Sequence, residues 1–348
     1  MSKTQAEKRD RILEVIRTHP NISSKEIHER LLGQFGYATI KRRLQRLLED
    51  KFVAITGKGK ATRYRISDAL EILYPIDIDV YFSKEIDDRE IKRRFNHSIF
   101  DLLNGLQLFT DAEMRRLTDL QQTYEQNIAS LSGEELKKEI DRLTIDLSWK
   151  SSQIEGNTYS LLETERLLKE KETAAGKQRD EATMLLNHKT ALDFVFDNPQ
   201  QLKHLSLARI EEIHSLLIKD LNVARNIRVR RVGISGTNYL PLENEFQIRE
   251  ALEKACVLIN NTQNVFSKAL LVLVIFSYIQ AFSDGNKRTA RILSNAILIS
   301  HHHCPLSFRT VDPIAYKKAM LLFYEQNNMV AMKRLFIDQF EFAVDTYF

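Results

Sequence analysis

The stretch Ala269 to Tyr278, ALLVLVIFSY, is apolar nearly all round and runs straight into a polar, glycine-broken segment, IQAFSDGNKRTAR. A helix without a polar face has to be surrounded by protein. The chain must therefore wrap a helical layer around this run, which is too short for the roughly 20 residues that span a bilayer. After it, Phe282 to Asn286 breaks the pattern, and a second helix is predicted from about Lys287 to Leu298. The first backbone N–H groups of that helix have no intrahelical partner, and the helix dipole adds partial positive charge there. Gly285 lets the backbone curl towards an anion. Arg288 and Arg291, three apart, project on one face, and planar guanidinium forks suit phosphate oxygens. Asp284 is a hard oxygen donor of the kind Mg²⁺ uses together with substrate phosphates. An ordinary helix cap with surface arginines is the plainer reading of the same residues.

The 348 residues allow about two or three domains, and an apolar share of 43% supports a sizeable core. Cys256 and Cys304 are too few for a disulfide framework, which suits a reducing cytoplasm. Charges occupy the N-terminus where a signal peptide needs an apolar run, so a soluble protein without a membrane partner is expected. The net charge of +4 is unevenly placed: residues 1–68 hold 16 Lys or Arg against 8 Asp or Glu, giving +8 there and −4 beyond. Within them, Ile12, Leu13 and Ile16 have helical spacing, and Ser23 with Glu26 forms a capping-box pattern. In a third helix Ile40, Leu44, Leu47 and Leu48 face inward while Lys41, Arg42, Arg43 and Arg46 face out. Two short strands then flank Gly57-Lys58-Gly59. Three helices and a basic hairpin resemble the winged helix-turn-helix domains. That resemblance implies DNA binding through Lys41, Arg42, Arg43, Arg46, Lys58, Lys60 and Arg63. A solvated surface on a protein-docking winged helix is the alternative.

Residues 69–130 read as a helical connector, with Thr110 a helix cap and a homodimer contact one expectation. Residues 131–348 read as the second domain. Ser132 with Glu135 opens a long helix whose stripe is Leu136, Ile140, Leu143 and Leu147, closing near Gly156-Asn157. Glu155 then sits in the last turn, where the dipole disfavours a negative charge, so it would gain from a cationic partner; a surface Glu with no partner is the plainer reading. Leu185, Leu186, Ala191 and Phe194 are expected core. His214 reads as structural, and no motif places it or His97 beside the anion site. Val232 to Tyr239 reads as a small hairpin able to hold a peptide by strand addition. Ser300 to Pro305, SHHHCP, reads as a helix end, since three adjacent His cannot all point one way.

Phe282-x-Asp284-Gly285-Asn286-Lys287-Arg288-x-x-Arg291 resembles the signature loop of the Fic family, written H-P-F-x-[DE]-G-N-[GK]-R-x-x-R. Lys287 matches the branch that contains the Doc toxins. Upstream, Ser151-x-x-x-Glu155-Gly156 matches the family's inhibitory motif, [ST]-x-x-x-E-[GN]. The resemblance spans about Ser132 to Phe340. It implies a mainly α fold, an all-helical Fic core with a small β-hairpin flap behind the winged helix-turn-helix domain. It also implies transfer of AMP from ATP to a protein Ser, Thr or Tyr hydroxyl, with Mg²⁺ on Asp284 and the anion hole at Gly285 and Asn286. Lys287, Arg288 and Arg291 would complete the nucleotide site, and Glu155 would compete for Arg291. The protein target would lie along the flap.

The sequence departs from that signature at its first position, where Gln280 replaces the base His and Ala281 the Pro. An amide takes no proton at neutral pH. Three readings follow: a transferase impaired at its base, a nucleotide-binding regulator acting through DNA, or a Gln introduced to inactivate the site.

Overall fold

The computed structural model describes residues 3–31 and 34–348, which divide into two compact units, Met1–Tyr74 and Pro75–Phe348. In the first, α1 (Lys3–Thr18), α2 (Ser24–Arg30) and α3 (Tyr37–Glu49) precede the antiparallel strands β1 (Val53–Thr56) and β2 (Arg63–Ile66). The register pairs Val53 with Ile66 and Thr56 with Arg63. Ser23 and Glu26 cap α2 reciprocally, satisfying two orphan donors of its first turn. Ile12, Ile16, Ile27, Ile40, Leu44 and Leu47 meet in one core, so the helical spacing read from the sequence does the packing. The wing turn needs its glycine: Gly57 has φ +74, and a Cβ there would lie 2.4 Å from the Ala61 carbonyl oxygen.

The second unit is built around the helix Val265–Ile279, in which every residue from Phe266 to Ile279 is buried. The cradle helix, Asn286–Ser300, packs closely along it. Helices Gly133–Ile154, Arg179–Asp197 and Leu207–Leu217 lie against the cradle helix, and Glu245–Asn261 and Pro313–Gln326 against the central one. The expected connector divides at Tyr74: the helix Asp111–Ser130 packs on the C-terminal helix Val330–Tyr347, with Lys333 donating to the Leu108 carbonyl and pairing Glu113 at 2.8 Å. Leu185 and Ala191 are buried as expected, whereas Leu186 and Phe194 are half-buried.

One expectation needs correcting. Residues 232–239 turn at Ser235 and Gly236 but form no β ladder, and the single two-stranded sheet among the described residues is the wing. The flap's backbone groups are engaged elsewhere, by the segment before Asn96. No helix among the described residues is long and apolar enough to cross a membrane.

Candidate nucleotide site

The cradle begins where the central helix stops. Gln280, its C-cap, adopts φ 53, and Gly285, the N-cap of the next helix, has φ 80. Between them Asn286 folds back over the loop: its Oδ1 accepts the Phe282 N–H at 2.8 Å and its Nδ2 donates to the Phe282 carbonyl at 2.8 Å. Buried Arg228 clamps the other side, donating from Nε to the Gln280 carbonyl (2.6 Å) and from Nη2 to the Leu242 carbonyl (2.6 Å). The loop is thus held in shape by side chains that satisfy its backbone.

His214 is the residue the sequence misplaced. Its ring stacks on Phe282 with centroids 3.6 Å apart, and its Nε2 lies 3.0 Å from the Asp284 carbonyl. Nδ1 faces a second carbonyl, that of Arg225, at 3.2 Å. Burial depresses its pKa to about 4, against the pull of those two carbonyls, so the ring is neutral and donates to only one of them. His214 supports the cradle from beneath, with both ring nitrogens facing backbone carbonyls. His97, by contrast, is exposed and packs edge-on against Phe95.

Both signature arginines are interior, Arg288 at 1% and Arg291 at 0% exposure. Arg288 Nη2 donates to Asp284 Oδ2 at 3.0 Å, while its Nε and Nη1 are buried with no hydrogen-bond partner among the described residues. Leaving a buried charged donor unpaired costs more than about 1–3 kcal/mol. Such unpaired, charged donors suit anionic oxygens. Arg291 is already engaged: Nε donates to Ser151 Oγ (2.8 Å), and Nη2 to the Ser151 carbonyl (2.9 Å) and Glu155 Oε1 (2.9 Å). Its guanidinium also sits 5.2 Å from the Tyr316 ring centroid.

Glu155 is the C-cap of the helix Gly133–Ile154, and Gly156 follows at φ 98. The acid that would gain from a cation has two, since Lys287 Nζ donates to its Oε2 at 3.1 Å. Burial alone would raise this carboxyl, but Arg291 and Lys287 outweigh it and hold its pKa below 4.5. Lys287 thereby joins the acid, a partner the sequence did not supply. A second unforeseen residue is His188, fully buried, with both ring nitrogens lacking a hydrogen-bond partner. Burial first, then the charges of Arg291 and Arg288, keep it neutral. No chemistry-bearing motif surrounds it in the chain.

At the first signature position Gln280 is locked. Its Nε2 donates to the Ser277 carbonyl (2.6 Å) and reaches the Tyr324 hydroxyl (3.3 Å), and its Oε1 accepts from Asn286 (3.3 Å). The Tyr324 phenol is itself pushed up by burial. The side chain is a brace, with no proton acceptor beside it.

Asp284 is the one carboxylate of the loop, its side chain 63% exposed. No group of three or more His, Cys, Asp or Glu that could hold a metal occurs among the described residues, His301 to His303 included. A divalent ion here would need most of its ligands from elsewhere. That fits Mg²⁺, which takes one or two carboxylates and completes its shell with phosphate oxygens and water. In the first unit Lys41, Arg42, Arg46, Lys58 and Lys60 are exposed, while Arg43, read as facing out, and Arg63 are half-buried.

Comparison with known proteins agrees with this geometry. Residues 204–298 match the Fic/DOC family, and residues 4–68 the penicillinase repressor family. Protein adenylyltransferase Fic of Nematostella vectensis is 27% identical over 186 residues, 51% of this chain and 42% of that protein. Protein adenylyltransferase fic-1 of Caenorhabditis elegans is 26% identical over 152 residues, 42% of this chain and 30% of that one. The chain thus spans less than half the length of these relatives. The solved structure of C. elegans Fic-1 superposes with TM-score 0.58 at 18% identity, covering 68% of this chain and 71% of its own. A Fic domain containing signaling protein from Bacteroides thetaiotaomicron gives 0.57 at 18% identity, covering 66% and 94%. These structures share the fold. The chain carries a Fic/DOC-family domain, and ahead of it a winged-helix domain of the penicillinase repressor type.

Proposed function

We propose that the second unit is a protein adenylyltransferase site that binds ATP with Mg²⁺, is restrained by Glu155, and transfers AMP slowly because position 280 offers no base. The observation that carries this reading is the pair of buried, unpartnered N–H groups on Arg288 beside an Arg291 already occupied by an acid. Arg288 would receive α- and β-phosphate oxygens, and Arg291, once released, the γ-phosphate. Backbone N–H groups after Gly285 would face the charge that grows on the phosphoryl oxygens. Asp284 would hold Mg²⁺, which supplies charge neutralisation on the phosphates. The target hydroxyl oxygen attacks the α-phosphorus, the α–β phosphoanhydride bond breaks, and pyrophosphate leaves. The hydroxyl proton then goes to solvent, forgoing the roughly 10²–10⁴-fold that a positioned base contributes.

Isothermal titration of ATP–Mg²⁺ into the native protein and Glu155→Gly, followed by labelled-ATP self-modification, tests this. Tighter binding in the variant and a slow transfer stimulated by Gln280→His are expected. No ATP affinity in Glu155→Gly sinks the proposal.

A second reading draws on the locked amide of Gln280. With both its ends bonded and no acceptor nearby, the site would bind nucleotide without transfer, and the winged unit would act on DNA as a regulator. Binding without label transfer, in both Glu155→Gly and native protein, selects it.

A further inference from the structure

The flap edge is already occupied. Leu240 donates its N–H to the Arg93 carbonyl at 2.8 Å, and Arg94 and Leu240 form a parallel bridge. Asn238 Nδ2 donates to Asp87 Oδ1 at 2.8 Å, and Arg89 Nη2 donates to the Gly236 carbonyl at 2.8 Å. Every second residue from Gly236 to Leu240 is thus met by the chain's own strap, residues 87–94. Backbone pairing supplemented by side chains in alternate positions is how an added strand is held.

We propose that residues 87–94 are a built-in occupant of the docking edge at 236–240, and that a target segment binds there by displacing them. The proposal rests on the reading above that the flap receives a protein target. Its sparse burial makes the strap displaceable. From Ser83 to Arg94 only Arg89 is buried, with Ile91 and Lys92 half-buried and the rest exposed. A segment with so few buried contacts opens at lower free energy than the core.

Arg89 is the plug. Its Nη1 lies 3.3 Å from Glu325 Oε1, in a pair whose side chains are 2% and 0% exposed. Glu325 also accepts from Tyr81 at 2.7 Å, and its carbonyl accepts the Lys92 N–H at 2.7 Å. Withdrawing Arg89 would leave a buried carboxylate without its cation, a strongly unfavourable state. The segment that replaces the strap must therefore bring an arginine to the same place. The edge fits an extended, basic peptide. It also lies next to the cradle's brace, because Tyr239 stacks on Tyr278 and Tyr324, and Tyr324 touches Gln280.

The test uses full-length protein and a fluorescent synthetic peptide copying residues 84–95. Arg89→Ala in the protein should leave the edge and Glu325 open, so the peptide should bind this variant at least tenfold more tightly than the native chain. A peptide carrying the same Ala should not bind the variant. Equal binding to both proteins, or none to a folded variant, overturns the proposal. Should the variant not fold, native-state hydrogen exchange on the unaltered protein decides. The Leu240 amide and residues 87–94 should exchange together, well before Ile275 in the central helix, and protection of Leu240 equal to Ile275 overturns the proposal. ATP titration of the same samples, in a Glu155→Gly background, keeps the two readings apart. Peptide binding without ATP affinity would sink the nucleotide reading alone.

Discussion

The protein uses arginine and lysine in two opposite environments. In the winged unit Lys41, Arg42, Arg46, Lys58 and Lys60 lie exposed on α3 and the wing. In the second unit Arg288 and Arg291 are buried, the first paired with exposed Asp284 and keeping Nε and Nη1 unpartnered, the second paired with Glu155 and keeping only Nη1 so, among the described residues. Exposed cations attract any polyanion through a screened field, and their contribution is delocalised and salt-dependent. Buried guanidinium groups act through a few directed hydrogen bonds, barely screened, and each bond counts. The same residue type thus gives a broad electrostatic surface in one unit and a few directed, buried bonds in the other.

The sharpest way to break this contrast is Arg288→Ala in a Glu155→Gly background. Losing two charge-assisted hydrogen bonds should cost about 4 kcal/mol of ATP affinity, nearly a thousandfold by titration calorimetry. An affinity that instead falls smoothly with added salt would place Arg288 in the exposed class.

Next in size is the proton linkage of His214. Its pKa in the fold, about 4, lies below the ordinary 6.5, so the folded state binds fewer protons than the unfolded one between those values. Stability is fully present above pH 6.5 and should fall by about 3 kcal/mol as pH drops towards 4. His214→Phe keeps the stack on Phe282 and should remove this acid-side loss in denaturant melts at pH 7 and 4.5. An unchanged pH dependence would show that the ring is not buried neutral. Glu155 has the same sign at lower pH: its depressed pKa keeps the ion pairs intact at neutral pH, and their contribution is lost as pH falls below the ordinary carboxylate range.

The smallest effect belongs to the wing. Replacing Lys58 and Lys60 by Ala should weaken binding to duplex DNA about tenfold and lower the log–log salt slope by about 2. An unaltered slope would assign the wing to a protein surface.

Local signals were legible in the chain. Ser23 with Glu26, Thr110 with Glu113 and Ser132 with Glu135 announce helix starts because a capping box is closed within four residues. The cradle from Asp284 to Arg291 was legible for the same reason: its turn, helix start and arginine face are consecutive. The pairing of Glu155 with Arg291 came from two motifs and the unfavourable place of an acid at a helix end. His214, His188, Arg228 and Tyr324 were not legible as site residues. Each reaches the loop from a distant helix or turn, and nothing in its own neighbourhood marks the contact. The flap was read as a hairpin because its alternation suits one, yet the donor at Leu240 and the acceptor at Gly236 are satisfied by the strap.

By itself the sequence determined that the chain has a basic winged unit, a buried central helix and a glycine-broken loop with two arginines at the next helix start. Those follow from periodicity, capping and charge within short windows. Tertiary structure decided what the cradle can do: it buried Arg288 with unpartnered donors, set Lys287 beside Glu155, and placed neutral His214 under the loop. It also bonded Gln280 at both ends. Burial and pairing are properties of side chains brought together from far along the chain, and no local pattern encodes them.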